Sequence, residues 1–306
     1  MDTVTGLSMT TAMVDAGEHP VVCRFIPDWN DAFLAYHENP DVFFAIGTKK
    51  EDTVKLVQIL EKLYPEDSTS EFSPVSISLD IAHGDSRIGH ATTQWLSQWE
   101  FIGNIMSGTV CTPEGALRAI ASGCTHIRVG VGSGSACTTR LMTGCGMPNL
   151  TAVYKIHRAI SNMHGIENRK NYKIIADGGI KYPGDAVKYI AAGADAVMLG
   201  NALSKCPETP GWHIEDGIPF KHYRGQASRQ FQEELLGRTP DCAEGAVGPR
   251  IGHGQTCEET ITMFRGGMRS ALSYLGLTSM STLKPENVDF VQLTAAGFTE
   301  GTPHGT

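Results

Sequence analysis

Hydrophobic and polar positions along this chain fall into two alternating regimes. Short runs rich in Val, Ile and Phe are followed by longer stretches in which apolar side chains recur every three or four positions. That alternation is the signature of repeated βα units and a parallel sheet. Seven runs read as strands, at residues 20–25, 42–47, 75–81, 101–106, 126–131, 173–176 and 196–199. Helices fall between them, for example at 50–63 and 113–122. The latter opens with Thr112 as N-cap, Pro113 in first position and Glu114 in the first turn, and Gly123 stops it.

The predicted fold class is therefore α/β, a (β/α)8 TIM barrel that lacks its first strand. Closed parallel barrels have eight strands, and here the count begins with a helix at about residues 3–16. An N-terminal truncation or a late start codon accounts for the shortfall, as does a separate segment or partner chain that closes the barrel. An unclosed barrel would expose strand edges and promote association. Between 203 and 254 the rhythm breaks into an irregular segment rich in Gly, Pro and charge, of the kind that is functional or disordered. Helical spacing resumes at 255–275. The expectation is one TIM-barrel domain over 1–306, with an active-site flap at about 205–254 and a surface extension at about 278–306.

Composition narrows the function. With 41% hydrophobic residues in 306, the chain buries a large core. A formal charge of -8 with scattered Lys and Arg argues against nucleic acid as a partner. No apolar run approaches the ~20 residues that cross a bilayer, and MDTVTGLSMTT has no signal-peptide order, so no membrane partner and a cytoplasmic location are expected. Eight cysteines are too dilute for a disulfide scaffold, no pair has C-x-x-C spacing, and the eleven histidines include no H-E-x-x-H pair.

Active sites of parallel barrels lie at the C-terminal strand ends. Directly after the fifth predicted strand comes GVGSGSACTTR, which places Cys137 among Gly130, Gly132 and Gly134, with Gly144 further on, and the hydroxyls of Ser133, Ser135, Thr138 and Thr139. These groups turn the backbone tightly and surround a thiol with hydrogen-bonding partners. A glycine-rich turn with an incidental cysteine is the alternative. Asp177, Gly178 and Gly179, then Gly200 and Asn201, follow the next two strands, where such barrels commonly bind phosphate. Tight strand-to-helix turns are the plainer reading of each alone.

GVGSGSACTTR, ADGGIKYPGDAVKYIAAGADAVMLG and HYRGQAS, in that order, resemble the nucleotide-binding core of the IMP dehydrogenase and GMP reductase family. MDTVT, SLDIAHGDS, GTVCTPEGALRAIASG and FRGGMRSALSYLG fit the same family in sequence order, and the resemblance spans nearly the whole chain. It implies that Cys137 adds to C2 of a purine nucleotide monophosphate, giving a covalent adduct that either loses ammonia from GMP or donates hydride from IMP. Thr139 and Glu244 match a threonine and a flap glutamate of the reductases. Ser135, Asp177, Gly178, Gly179, Gly200, Asn201, Tyr223 and Gly225 match nucleotide contacts. Asp80 and Asn104 match the nicotinamide side, and the carbonyls of Gly132, Gly134 and Cys137 match a monovalent-cation site, potassium, of some dehydrogenases. Taken singly, Glu244 is an ordinary loop carboxylate, Asp80 a strand cap and Tyr223 a packed aromatic; only the shared pattern gives them roles.

The flap distinguishes the two reactions. Dehydrogenases hydrolyse the adduct with an Arg-Tyr pair on a long flap, whereas between Ser228 and Ala243 stands only RQFQEELLGRTPDC, with Arg229 and Arg238 but no Arg-Tyr dipeptide. This favours NADPH-dependent reductive deamination of GMP, or a related guanine nucleotide, to IMP. The GSGS loop and AAGFTEGTPH point the other way, to an IMP dehydrogenase that uses NAD. Asn201, Gln226, Ala227 and Asp241 depart from the family pattern around base and phosphate, which leaves the nucleotide open. An inactive nucleotide-binding homologue is a further alternative. The resemblance also implies a homotetramer.

Overall fold

A computed structural model describes residues 1–65, 73–168 and 171–303. Among the described residues, seven strands lie parallel in one sheet in chain order: β1 (Val21–Val22), β2 (Phe43–Ile46), β3 (Val75–Leu79), β4 (Ile102–Val110), β5 (His126–Val129), β6 (Lys173–Asp177) and β7 (Ala196–Met198). The helices are α1 (Leu7–Asp15), α2 (Trp29–Tyr36), α3 (Lys50–Leu63), α4 (Arg87–Leu96), α5 (Pro113–Ala121), α6 (Thr139–Thr143), α7 (Asn149–Asn168), α8 (Pro183–Ala191), α9 (Arg229–Leu236), α10 (Cys257–Leu275) and α11 (Ala295–Glu300).

Every residue of β2 and β3 is buried, as expected of parallel strands covered on both faces. Phe33 from α2 packs on Phe44 with ring centroids 4.6 Å apart, and Leu56 and Leu60 of α3 join Ile77 and Leu79 in the same core. The sheet curls into an open barrel whose edges are β1 and β7. This is the TIM-barrel-like architecture one strand short that the hydrophobic pattern predicts. Among the described residues no helix is long and apolar enough to cross a membrane.

Four expectations change. The first helix starts at Leu7, not near residue 3, because the Val4 and Thr5 amides both turn back onto the Met1 carbonyl. Strand β4 continues through Ser107, Gly108 and Thr109 to Val110, although these small polar residues look like a turn. Both Ser107 and Thr109 are buried, and a Cβ at Gly108 would lie 2.4 Å from the Arg128 carbonyl oxygen, so only glycine lets β4 and β5 come this close.

The third change is the largest. Residues 203–254 are not an irregular stretch; they hold α9 and an antiparallel sheet of β8 (His213–Glu215), β9 (Ile218–Arg224) and β10 (Val247–Ile251), in the order β10-β9-β8. Asp216 (φ 52°) and Gly217 (φ 75°) form the tip of the first hairpin. Two left-handed residues in succession are what a two-residue hairpin requires. The C-terminal segment is not wholly superficial either, since Leu283 is buried in the main core.

Candidate active site

The loop after β5 is fastened from below. Ser133 Oγ donates to the Gly130 carbonyl (2.8 Å) and to the Asp177 carbonyl at the end of β6, and the Cys137 amide donates to the Gly134 carbonyl (3.0 Å). A Cβ at Gly130 would sit 2.2 Å from the Asp177 oxygen, so the loop closes on β6 only with glycine there. Asn149, first residue of α7, adds a 2.9 Å bond from its Nδ2 to the same Asp177 carbonyl.

The flap reaches this loop through its backbone. Cys137 and Gly245 form an antiparallel bridge, the Thr138 amide donates to the Glu244 carbonyl (2.8 Å), and the Ala246 amide donates to the Ala136 carbonyl (2.8 Å). The side chains then align: Cys137 Sγ donates to Thr139 Oγ1 at 3.2 Å, and Thr139 Oγ1 donates to Glu244 Oε2 at 2.9 Å. A thiol, a hydroxyl and a carboxylate thus form a continuous proton path.

On the nucleotide side, Gly178 (φ 84°) and Gly179 (φ 74°) turn the chain sharply after Asp177, and Gly200 and Asn201 follow β7. Tyr223 of β9 projects over Gly200, where an added Cβ would meet its hydroxyl at 3.3 Å, and that hydroxyl donates to Met1 Sδ at 3.3 Å. Burial pushes the Tyr223 phenol above its ordinary value, against the opposing effect of Ser135. Gly225 packs its bare Cα on the Ala136 carbonyl. The sheet carrying Tyr223 is anchored by Lys221, which is 1% exposed. Its Nζ donates to the Thr3 carbonyl (2.7 Å), the Pro210 carbonyl (3.2 Å) and Thr209 Oγ1, and burial lowers its pKa to about 8.

Asp80, after β3, lies 3.6 Å from both Arg24 Nε and Arg128 Nη2. Burial alone would raise its carboxyl; Arg128, the Met1 ammonium and Arg24, with a smaller effect of Gln226, more than reverse this and hold it below the ordinary value. Arg128 Nε is also 3.4 Å from Asp177 Oδ2. Burial raises the Asp177 carboxyl, and Arg128 only partly offsets that. One guanidinium therefore joins the Asp80 and Asp177 sides of the mouth.

Arg128 was not among the sequence candidates. Its signal is a charge inside the buried strand HIRV, which is rare unless paired. Asn104 is not brought to the site: near the start of β4, its Nδ2 donates to Ser76 Oγ at 3.1 Å, and Ser76 in turn bonds the Pro40 carbonyl. Ser76 lies at the opposite end of β3 from Asp80. On β4 it is Thr109 that reaches the mouth, bonding the Ala82 carbonyl at 3.0 Å.

The profile of the family described as IMP dehydrogenase / GMP reductase domain matches residues 70–304. Inosine-5'-monophosphate dehydrogenase of Bacillus subtilis (strain 168) is 38% identical over 241 residues, which is 74% of this chain and 46% of that protein. The enzyme of the same name from Staphylococcus saprophyticus is 33% identical over 274 residues, 85% of this chain and 51% of its own. A crystal structure of a GMP reductase variant from Trypanosoma brucei, in complex with guanosine 5'-monophosphate, superposes with a TM-score of 0.72 at 32% identity, covering 87% of this chain and 52% of that one. The chain spans about half the length of the curated relatives it matches. A profile match over most of the chain, on a barrel with this cysteine loop, places it in the IMP dehydrogenase / GMP reductase family.

Proposed function

We propose that the protein reductively deaminates a guanine nucleotide monophosphate, GMP or a close relative, to the inosine form. The carrying observation is the Cys137–Thr139–Glu244 path, which supplies a proton beside a nucleophilic thiol. Cys137 gives its proton through Thr139 to the Glu244 carboxylate and adds to purine C2 as thiolate. The 2-amino group leaves as ammonia, taking that proton back from Glu244. A hydride then enters at C2, and the carbon–sulfur electron pair returns to sulfur. NADPH, when bound, supplies that hydride.

Asp177 accepts from the sugar hydroxyls, and Ser135, Gly178, Gly179, Gly200, Asn201, Tyr223 and Gly225 surround the phosphate and base. Asp80 offers its carboxylate to a carboxamide of the dinucleotide, with Thr109 beside it. A potassium ion on the carbonyls of Gly132, Gly134 and Cys137 is given no step: the Gly134 carbonyl already accepts the Cys137 amide, and the cationic Arg140 packs on Gly132. Omitting potassium from the assay tests its part. A cytoplasmic homotetramer belongs to the same proposal, and sedimentation tests the assembly.

Incubation with GMP and NADPH, following loss of NADPH absorbance and release of ammonia, tests the reaction. The second reading, NAD-dependent oxidation of IMP, is favoured by the names of the curated relatives. NADH formation from IMP without turnover of GMP or dGMP would select it. Nucleotide binding with neither turnover would leave a binding protein.

A further inference from the structure

Glu244 is only as well placed as the segment that carries it. On the cysteine side that segment is held by the Thr138 amide on the Glu244 carbonyl and by the Ala246 amide on the Ala136 carbonyl, both at 2.8 Å. On the other side the Glu244 amide donates to the Ala227 carbonyl (3.1 Å). The two stretches of the flap lie very close there, since a Cβ at Gly245 would fall 2.7 Å from the Ser228 nitrogen. Whatever fixes Ala227 therefore helps to fix the backbone of the acid.

Gln232 donates to that same oxygen. It lies on the buried face of α9, is 7% exposed, and its Nε2 stands 3.1 Å from the Ala227 carbonyl. Its Oε1 accepts from Arg238 Nε at 3.0 Å, and the Arg238 amide donates to the Gln232 carbonyl at 3.1 Å. A guanidinium can only donate, so the end of the Gln232 side chain that faces Arg238 is the oxygen and the other end is the donor. The helix itself is rooted on the barrel: Phe231 is fully buried and meets Phe25 edge-on, with ring centroids 5.0 Å apart. An apolar side chain at position 232 would cover the same surface. Only an amide with both ends bonded ties the outgoing limb of the flap, at Ala227, and the returning limb, at Arg238, to one helix.

We propose that Gln232 is a positioning residue for the proton relay: acting through the Ala227 carbonyl, it holds Glu244 in register with Thr139 and Cys137. This rests on the reading above only in giving Glu244 the role of acid.

The test uses the full chain with Gln232→Met, which keeps the bulk and loses both bonds, and Gln232→Glu, which keeps the acceptor for Arg238 and loses the donor. With GMP and NADPH, kcat should fall roughly tenfold in each, the loss expected of one hydrogen bond, while KM for GMP moves less than about threefold. Intact mass should still show the Cys137 adduct. Added to Glu244→Gln, either change should lower kcat less than about twofold further, because no acid remains to be placed. Hydrogen exchange needs no turnover: the amides of Thr138, Glu244 and Ala246 should exchange faster in both variants, with those of β2 and β3 unchanged. Unchanged kcat in both variants, losses that multiply with that of Glu244→Gln, unchanged exchange at Thr138 and Glu244, or lost protection throughout β2 and β3 overturns the proposal. Failure of the reductase reading looks different: the parent releases no ammonia from GMP, while the local exchange effect stands.

Discussion

Thr139 donates a 2.9 Å hydrogen bond to Glu244 across 105 positions of sequence. Because the same hydroxyl accepts from Cys137, the carboxylate reaches the thiol through one oxygen. Glu244→Gln is expected to keep the Cys137 adduct with GMP, seen by intact mass, while turnover falls roughly 10²–10⁴-fold. Thr139→Val should fall in the same range. The double variant should be little worse than the worse single one, since the two act as one relay. Multiplicative losses in the double variant would show that they act separately.

Arg128 is 8% exposed and lies between two carboxylates. Removing it leaves both without their shared cation, so Arg128→Met should lower stability by about 3–5 kcal/mol. Adding Asp177→Asn to that variant should recover part of the loss, because it removes one of the stranded charges. Urea unfolding of the three proteins checks the order, and no recovery in the double variant rules out the shared-cation account.

At Gly178 the backbone is left-handed, and a Cβ would fall 2.6 Å from Ser133 Oγ. Gly178→Ala should therefore cost about 1–3 kcal/mol and weaken nucleotide binding by displacing the loop that holds Cys137. Gly184→Ala serves as the control, since nothing lies within 4 Å of its added Cβ. Equal behaviour of the two variants in melting and nucleotide titration would refute the steric argument.

Lys221 gives a pH signature. Its folded pKa is about 8 against an ordinary 10.5, so between those values the folded protein holds fewer protons on it than the unfolded chain does. Its contribution to stability is then fully present above about 10.5 and is lost as pH falls through 8. Urea unfolding of the parent and Lys221→Met should show the difference shifting in favour of the parent from neutral pH to about pH 10. A pH-independent difference excludes this charge effect.

The barrel was legible because hydrophobic periodicity and capping are local. Thr112, Pro113 and Gly123 bound α5 much as read, and Thr256 forms a capping box with Glu259 at the start of α10. The flap sheet was missed although Asp216–Gly217 between Ile214 and Ile218 carried a hairpin signal; its strands are mostly exposed and lack a clean apolar face. Cys137 and Thr139 stood out from the glycine-rich loop after the fifth strand and Glu244 through resemblance, yet their alignment depends on backbone pairing that no local pattern encodes. Asn104 was misplaced because β4 runs further than its apolar residues suggest. That shift of frame puts Thr109 at the mouth and leaves Asn104 at the far end.

The bridges that join Gly245 to both Cys137 and Ser228 pin the two ends of the intervening segment, which carries α9. What lies between those ends is an insert on a fixed mount. Closing a longer loop between fixed points is inexpensive, about 0.6 kcal/mol per doubling of length. Phe231 and Gln232 hold helix α9 down, so the segment after it, where Gly237, Thr239, Asp241 and Cys242 are exposed, can be lengthened without displacing the acid from the thiol, a ready port for grafting new binding segments onto an unchanged reaction centre.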